Sequence, residues 1–174
     1  MTKDGENSEQ QRRMRIWYVL HVKPRTEKKV FDRLCLMNVF RYLPFRTKIT
    51  RVQRRKVVRH LPLFPGYVFT RLNADERLTV LKTNHLVRFI EVPQPRQMIH
   101  QLRQIAHAGR LPVDLQPIES YTPGERVRVK FGPLMGMEGI IQRKGNATTL
   151  VLELTILGRA LSVTVNPADV EKIN

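Results

Sequence analysis

The chain has 174 residues, enough for one large or two small domains, and 41% of them are hydrophobic, enough to bury a core. No run approaches the ~18 consecutive apolar residues of a membrane span, the polar first fifteen residues hold no signal-peptide core, and one cysteine allows no internal disulfide, so the expectation is a soluble cytoplasmic protein. Thirty-one Lys and Arg oppose fifteen Asp and Glu, a net charge of +16, which points to a polyanionic partner, nucleic acid first, and away from a basic membrane-surface helix, because no single amphipathic helix holds the charge.

Residues 1–14 read as a disordered arm. Ile16 to Val22 alternates and is rich in aromatic and β-branched side chains, so a strand is expected, stopped by Pro24. Thr26 is a candidate N-cap for a helix from Glu27 to about Met37. That helix carries Val30, Phe31, Leu34 and Met37 on one stripe and Lys28, Lys29 and Arg33 on the other. Cys35, between Leu34 and Leu36, is read as a buried, inert thiol. Residues 41–52 and 57–61 read as two strands joined by a turn at 53–56. This hairpin holds Arg46, Lys48, Arg51, Arg54, Arg55, Lys56 and Arg59 with no acidic residue between them. Such a run is either a solvated face or a polyanion-binding one.

Leu63-Phe64-Pro65-Gly66-Tyr67-Val68-Phe69 follows, a strand entered through a rigid Pro-Gly turn. Period two sends Tyr67 and Phe69 to one face, Val68 and Thr70 to the other. Asn73 caps a short helix over 74–82, residues 86–92 form another strand, and residues 96–108 form a helix ended by Gly109. This order suits an α+β fold, an antiparallel sheet with helices on one face. Residues 110–120, with Pro112 and Pro117, read as a linker. From Tyr121 short strands and glycine turns suggest a small β-barrel. Within it Leu150, Leu154, Leu157 and Leu161 would also make a helical stripe. Periodicity leaves both readings open; the β-branched Thr148, Thr149, Val151, Thr155, Val163 and Val165, with Gly158, tip the balance to strands.

The charge divides with the texture. Residues 1–120 hold 24 basic and 10 acidic side chains, residues 121–174 only 7 and 5, so the two halves have different partners. No phosphate loop, nucleophile elbow or metal-ligand spacing occurs. His100 and His107 lie seven apart and read as surface positions. No cofactor and no enzymatic activity are expected.

Trp17-Tyr18-Val19-Leu20, Lys23, Glu27-Lys28-Lys29-Val30 and Leu63 to Phe69 resemble the N-terminal domain of the NusG family of transcription factors. Val127-Arg128-Val129, Gly132-Pro133, Gly136, Gly139 and Leu157-Gly158-Arg159 resemble the KOW domain that follows it in that family. The resemblance implies an N-terminal domain over 15–109, a linker over 110–120 and a KOW domain over 121–174. It further implies a monomer that docks on the clamp helices of bacterial RNA polymerase and suppresses pausing and termination. The implied docking positions are Phe64, Pro65, Gly66, Tyr67, Leu86 and Phe89, and the segment Leu78-Thr79-Val80 resembles the part that meets the opposite side of the cleft. By likeness to specialised RfaH-type paralogues, His21, Lys23, Lys29 and Arg33 would contact the non-template DNA strand; Arg54, Arg55 and Lys56 of the basic hairpin are expected to add DNA contacts on their charge, not on the likeness. Leu134, Met135 and Met137 stand where the KOW domain meets a small-subunit ribosomal protein or the Rho terminator. In RfaH-type paralogues the KOW domain can instead form a helical hairpin that masks the docking site. Thr83-Asn84-His85-Leu86 lacks the Pro-Gly usual in the housekeeping members, which favours an operon-specific paralogue. The rival reading, a ribosome- or RNA-binding KOW protein, would put the charge on the barrel, where this chain is near neutral.

Overall fold

A computed structural model describes residues 13–52, 55–111, 113–118, 124–144 and 147–173. The arm over 1–12 and the turn residues Gln53, Arg54, Gly145 and Asn146 lie outside the described residues. The chain forms two compact units, Met1–Leu43 with Phe64–Pro93, and Pro44–Leu63 with Gln94–Asn174. No described helix is long and apolar enough to cross a membrane.

The first unit is a four-stranded antiparallel sheet with two helices. Strands β1 (Ile16–Val22), β2 (Phe40–Tyr42), β5 (Tyr67–Leu72) and β6 (Leu86–Glu91) stand in the order β2-β5-β1-β6. Helices α1 (Glu27–Leu36) and α2 (Ala74–Leu81) complete it. Alternation along β1 puts Tyr18, Leu20 and Val22 on one face, where they pack with Val68 and Leu72 of β5, Val30 and Leu34 of α1, and Val80 of α2. The other face carries Val19, His21, Tyr67 and Phe69, paired in register as Val19 with Phe69 and His21 with Tyr67. The helices start by different means. Asn73 accepts from the Glu76 amide at 2.9 Å while Glu76 accepts from the Asn73 amide at 2.9 Å, a reciprocal cap for α2. Thr26 stands at the N-cap of α1, where its carbonyl accepts from the Val30 amide at 3.0 Å, but its hydroxyl makes no capping bond and donates instead to the Lys23 carbonyl at 2.7 Å. Cys35 is exposed, not buried as its apolar neighbours suggested, because it sits on the solvent side of α1, where the Arg41 guanidinium donates to its Sγ at 2.9 Å.

The second unit holds hairpin β3 (Phe45–Val52) and β4 (Arg55–Pro62), helix α3 (Pro95–Ala108), and strands β7 (Gln116–Ile118), β8 (Arg126–Val129), β9 (Glu138–Lys144), β10 (Ala147–Leu154), β11 (Arg159–Thr164) and β12 (Val170–Lys172). Arg55 and Lys56, expected in the turn, begin β4. The six C-terminal strands form one antiparallel sheet in the order β12-β8-β9-β10-β11-β7. The small all-β domain is therefore present, and strands fill Ala147–Leu154 and Arg159–Thr164 in place of the helical reading, while Thr155–Leu157, expected to extend the first strand, forms a short 3-10 turn. Gly139 is needed where β9 and β10 meet: a Cβ there would lie 2.4 Å from the Val151 carbonyl oxygen.

Two features depart from expectation. The stretch read as a linker contains β7, paired with β11, and a buried Leu115. Pro117 is tolerated because β7 is an edge strand, where a missing N–H breaks no ladder. Helix α3 groups with the C-terminal strands. Its glutamines explain the grouping: Gln104 accepts from the Glu138 amide at 2.7 Å, and Gln101 accepts from the Thr155 amide at 3.2 Å and donates to its hydroxyl at 2.8 Å.

Candidate functional site

The Pro65-Gly66 corner closes because Gly66 has φ 85, in the left-handed region that glycine enters without steric cost. Three hydrogen bonds hold it. The Gly66 amide donates to Glu27 Oε1 at 2.8 Å, the Val22 amide donates to the Gly66 carbonyl at 2.8 Å, and the Tyr67 amide donates to the Phe64 carbonyl at 3.2 Å. Glu27 is the one charged side chain buried among the described residues, at 8% exposure, and it opens α1. Its carboxylate also lies in the helix's first turn, where negative charge is favoured. Sequence patterning gave no hint of this bond, which spans 39 residues.

Glu27→Ala is expected to leave the Gly66 amide without its acceptor and to cost about 1–3 kcal/mol, with Glu27→Gln recovering part of that. Chemical denaturation of the three proteins checks it; an alanine variant as stable as the parent would refute the role assigned to Glu27.

The six expected docking positions do not share one surface. Tyr67 is half-buried and stacks on His21, with ring centroids 5.0 Å apart and planes 19° from parallel. Pro65 is exposed at the corner. Phe64 is 1% exposed and meets Phe69 edge-on at 6.4 Å, so it is a core residue beneath the corner and no surface anchor. Leu86 and Phe89 lie on the opposite, helix-covered face: Leu20 pairs with Phe89 and Val22 with Leu86, and both pack on the first unit's core. A register shift between His21 and Val22 resets the parity of β6 there. Arg77 of α2 lies over the Phe89 ring at 4.8 Å and the Tyr18 ring at 5.6 Å, a cation–π arrangement. In the Leu78-Thr79-Val80 segment, Leu78 is exposed and Val80 buried.

The four basic or imidazole positions expected at nucleic acid also divide. Lys29 and Arg33, one helical turn apart, line an open groove between α1 and the end of α2. Asp32, Leu36, Thr79, Lys82, Thr83 and His85 complete its wall. Lys82 and His85 were not singled out in the sequence, since they join the groove from more than forty residues away in the chain. Lys23 stands beside it: its amide donates to the His85 carbonyl at 2.8 Å and its Nζ to Asn84 Oδ1 at 3.4 Å. His21 is on the other sheet face, with Tyr67, and its buried Nδ1 has no partner among the described residues. Asn84 turns the chain into β6 with φ 57, a left-handed position that asparagine tolerates better than most residues.

On β4, Arg55, Lys56 and Arg59 are exposed. In the C-terminal sheet only Met135 of the three expected partner residues is exposed, at 66%; Leu134 and Met137 are buried and pin the loop between β8 and β9. Phe131, 61% exposed with Lys130 Nζ 5.6 Å from its ring centroid, accompanies Met135 at the surface. Among the described residues no three His, Cys, Asp or Glu side chains are placed to hold a metal ion.

Comparison with known proteins matches residues 15–106 to the family described as "Transcription termination factor nusG". The chain is 26% identical over 186 residues to the transcription termination/antitermination protein NusG of Borreliella burgdorferi, covering 91% of this chain and 99% of that protein. A solved structure titled "Domain interaction in Thermotoga maritima NusG" shares the fold, with a TM-score of 0.51 and 24% identity over 92% of this chain and 98% of that one.

Proposed function

The chain belongs to the NusG family, and from that premise we propose that it is a transcription elongation and antitermination factor that docks on bacterial RNA polymerase through the Pro65–Tyr67 corner. The observation that carries the reading is the locked corner itself: a proline and a stacked tyrosine–histidine pair held by a buried carboxylate. A rigid aromatic projection of this kind suits a protein–protein hot spot, because little freedom is lost when it is covered. Phe64 acts from beneath, as support. Leu86 and Phe89 act through the packing of β6 on the first unit's core.

The groove of Lys29, Arg33, Lys82 and His85 receives the displaced non-template strand, with Lys23 at its end. Cations suit phosphates, and planar imidazole and guanidinium groups suit exposed bases. The Asn84–Lys23 contact at 3.4 Å, which a glycine turn could not make, supports a specialised, operon-specific paralogue of the RfaH type. Met135 and Phe131 offer the C-terminal domain's contact to a ribosomal protein or to Rho, Met being an adaptable binding side chain. The protein acts as a cytoplasmic binding factor, not an enzyme.

Full-length protein on a resin should retain purified core RNA polymerase. In a reconstituted elongation complex, photo-cross-linkers at residues 29 and 33 should label the non-template strand. Failure to retain the polymerase overturns the docking reading; labelling only of protein from both positions overturns the groove assignment.

A further inference from the structure

The two methionines of the loop between β8 and β9 stand in opposite surroundings. Met135 is 66% exposed, and Met137, two residues on, 3%. Of the chain's six methionines, Met98 is also buried, Met37 is half-buried and Met14 is exposed. The loop is fixed by groups other than the Met135 side chain. The Met135 amide donates to the Gly132 carbonyl at 3.1 Å, the Gly136 amide to the Val129 carbonyl at 2.8 Å and the Met137 amide to the Leu134 carbonyl at 3.1 Å. Leu134 and Met137, on either side of Met135 in the chain, are buried. An oxygen atom added to a buried methionine lands in the core and disrupts it. Added to Met135 it lands in water and leaves the packing alone. This thioether is therefore open to chemistry and dispensable to the fold.

We propose that Met135 is a site of reversible oxidation by peroxide, a switch set in the contact surface of the C-terminal sheet. The step is a two-electron oxygen transfer. The sulfur lone pair attacks one oxygen of hydrogen peroxide, and an S–O bond forms as the O–O bond breaks. The departing hydroxide takes the proton left on the transferred oxygen and becomes water. Sulfur is oxidised to the sulfoxide and peroxide is reduced. Methionine sulfoxide reductases reverse the change, a dithiol supplying the two electrons as the oxygen leaves in water. The effect on binding rests on the reading of Met135 and Phe131 as the sheet's contact surface. A thioether adapts to an apolar pocket; a sulfoxide is polar and chiral and disrupts such an interface. The Phe64–Tyr67 corner holds no methionine, so oxidation weakens the C-terminal contact and spares polymerase docking.

The test uses full-length protein carrying Cys35→Ser, which removes the other exposed sulfur nucleophile. Samples treated with graded hydrogen peroxide are digested, and fragment masses place each added oxygen. Met135 should take up oxygen about tenfold or more faster than Met137 and Met98, with Met14 as the exposed reference. Purified Rho and 30S ribosomal subunits serve as binding probes. The better of the two affinities should fall about fivefold or more on oxidation, and reductases for both sulfoxide epimers should restore it. Met135→Leu should bind as the untreated parent does and resist the loss; Met14→Leu should not resist it. The thermal midpoint and retention of core RNA polymerase should stay unchanged, which excludes general damage. The proposal is overturned if Met135 oxidises no faster than Met137, if the oxidised protein keeps its affinity, or if Met135→Leu loses affinity equally on treatment. Untreated protein that binds neither probe overturns the contact reading and the switch with it. Slow oxidation of Met135 in protein that does bind overturns the switch alone.

Discussion

Phe64→Ala is expected to lower stability by about 3–5 kcal/mol, the range for deleting a buried phenylalanine. Phe64 is 1% exposed and packs edge-on against Phe69, itself fully buried. Its removal takes away both the transfer free energy of the ring and the contacts around the cavity it leaves. Such a loss is a large share of the ~5–15 kcal/mol that separates a native domain from its unfolded chain. Urea unfolding followed by the fluorescence of Trp17, which lies in β1 of the same sheet, measures it. Phe64→Leu should restore most of the loss. A destabilisation well under about 1 kcal/mol would place Phe64 at the surface and return it to the docking set.

Tyr67→Ala should do the reverse. The residue is half-buried on the sheet face shared with His21, so the fold should survive with a smaller stability loss than at Phe64. Affinity for core RNA polymerase should fall by about 2 kcal/mol or more, roughly thirtyfold, as for an aromatic hot spot. Tyr67→Phe, which keeps the ring and its stack, should retain most of the affinity. Titration of labelled polymerase with the two variants reads the difference. Undiminished binding by a folded Tyr67→Ala protein would sink the corner as the docking site.

The local elements were legible because each has a local cause. Alternation marked β1 and β5, and Asn73 marked the start of α2. Pairing was not legible. Period two states that Tyr67 and Leu86 each alternate; it does not state which face they share, and the register shift beside His21 puts Leu86 and Phe89 opposite Tyr67. The groove was half legible: Lys29 and Arg33 share a helix face by spacing, but Lys82 and His85 arrive through tertiary packing. Phe64 was expected at the surface only because the family resemblance put it among the docking positions, and the fold shows the ring turned inward. In the loop after β8, the sequence could not tell exposed Met135 from buried Leu134 and Met137. Pro117 disguised β7 as a linker, since proline argues against a strand unless the strand is known to be an edge.

The Glu27 carboxylate has a consequence for the cooperativity of the first unit. It sits in the first turn of the helix that carries Lys29 and Arg33, and it holds the amide of the Pro-Gly corner that carries Tyr67. Helix ends fray by local opening, with free energies far below that of global unfolding. Here the first turn of α1 cannot open without releasing Gly66, and the corner cannot move without losing its anchor in α1. The bond therefore couples the opening of the two segments, although 39 residues separate them in sequence. A partner on the proposed docking corner would then remove the entropy cost of ordering the helix start for a ligand in the proposed groove, and by thermodynamic reciprocity that ligand would favour the corner by the same factor.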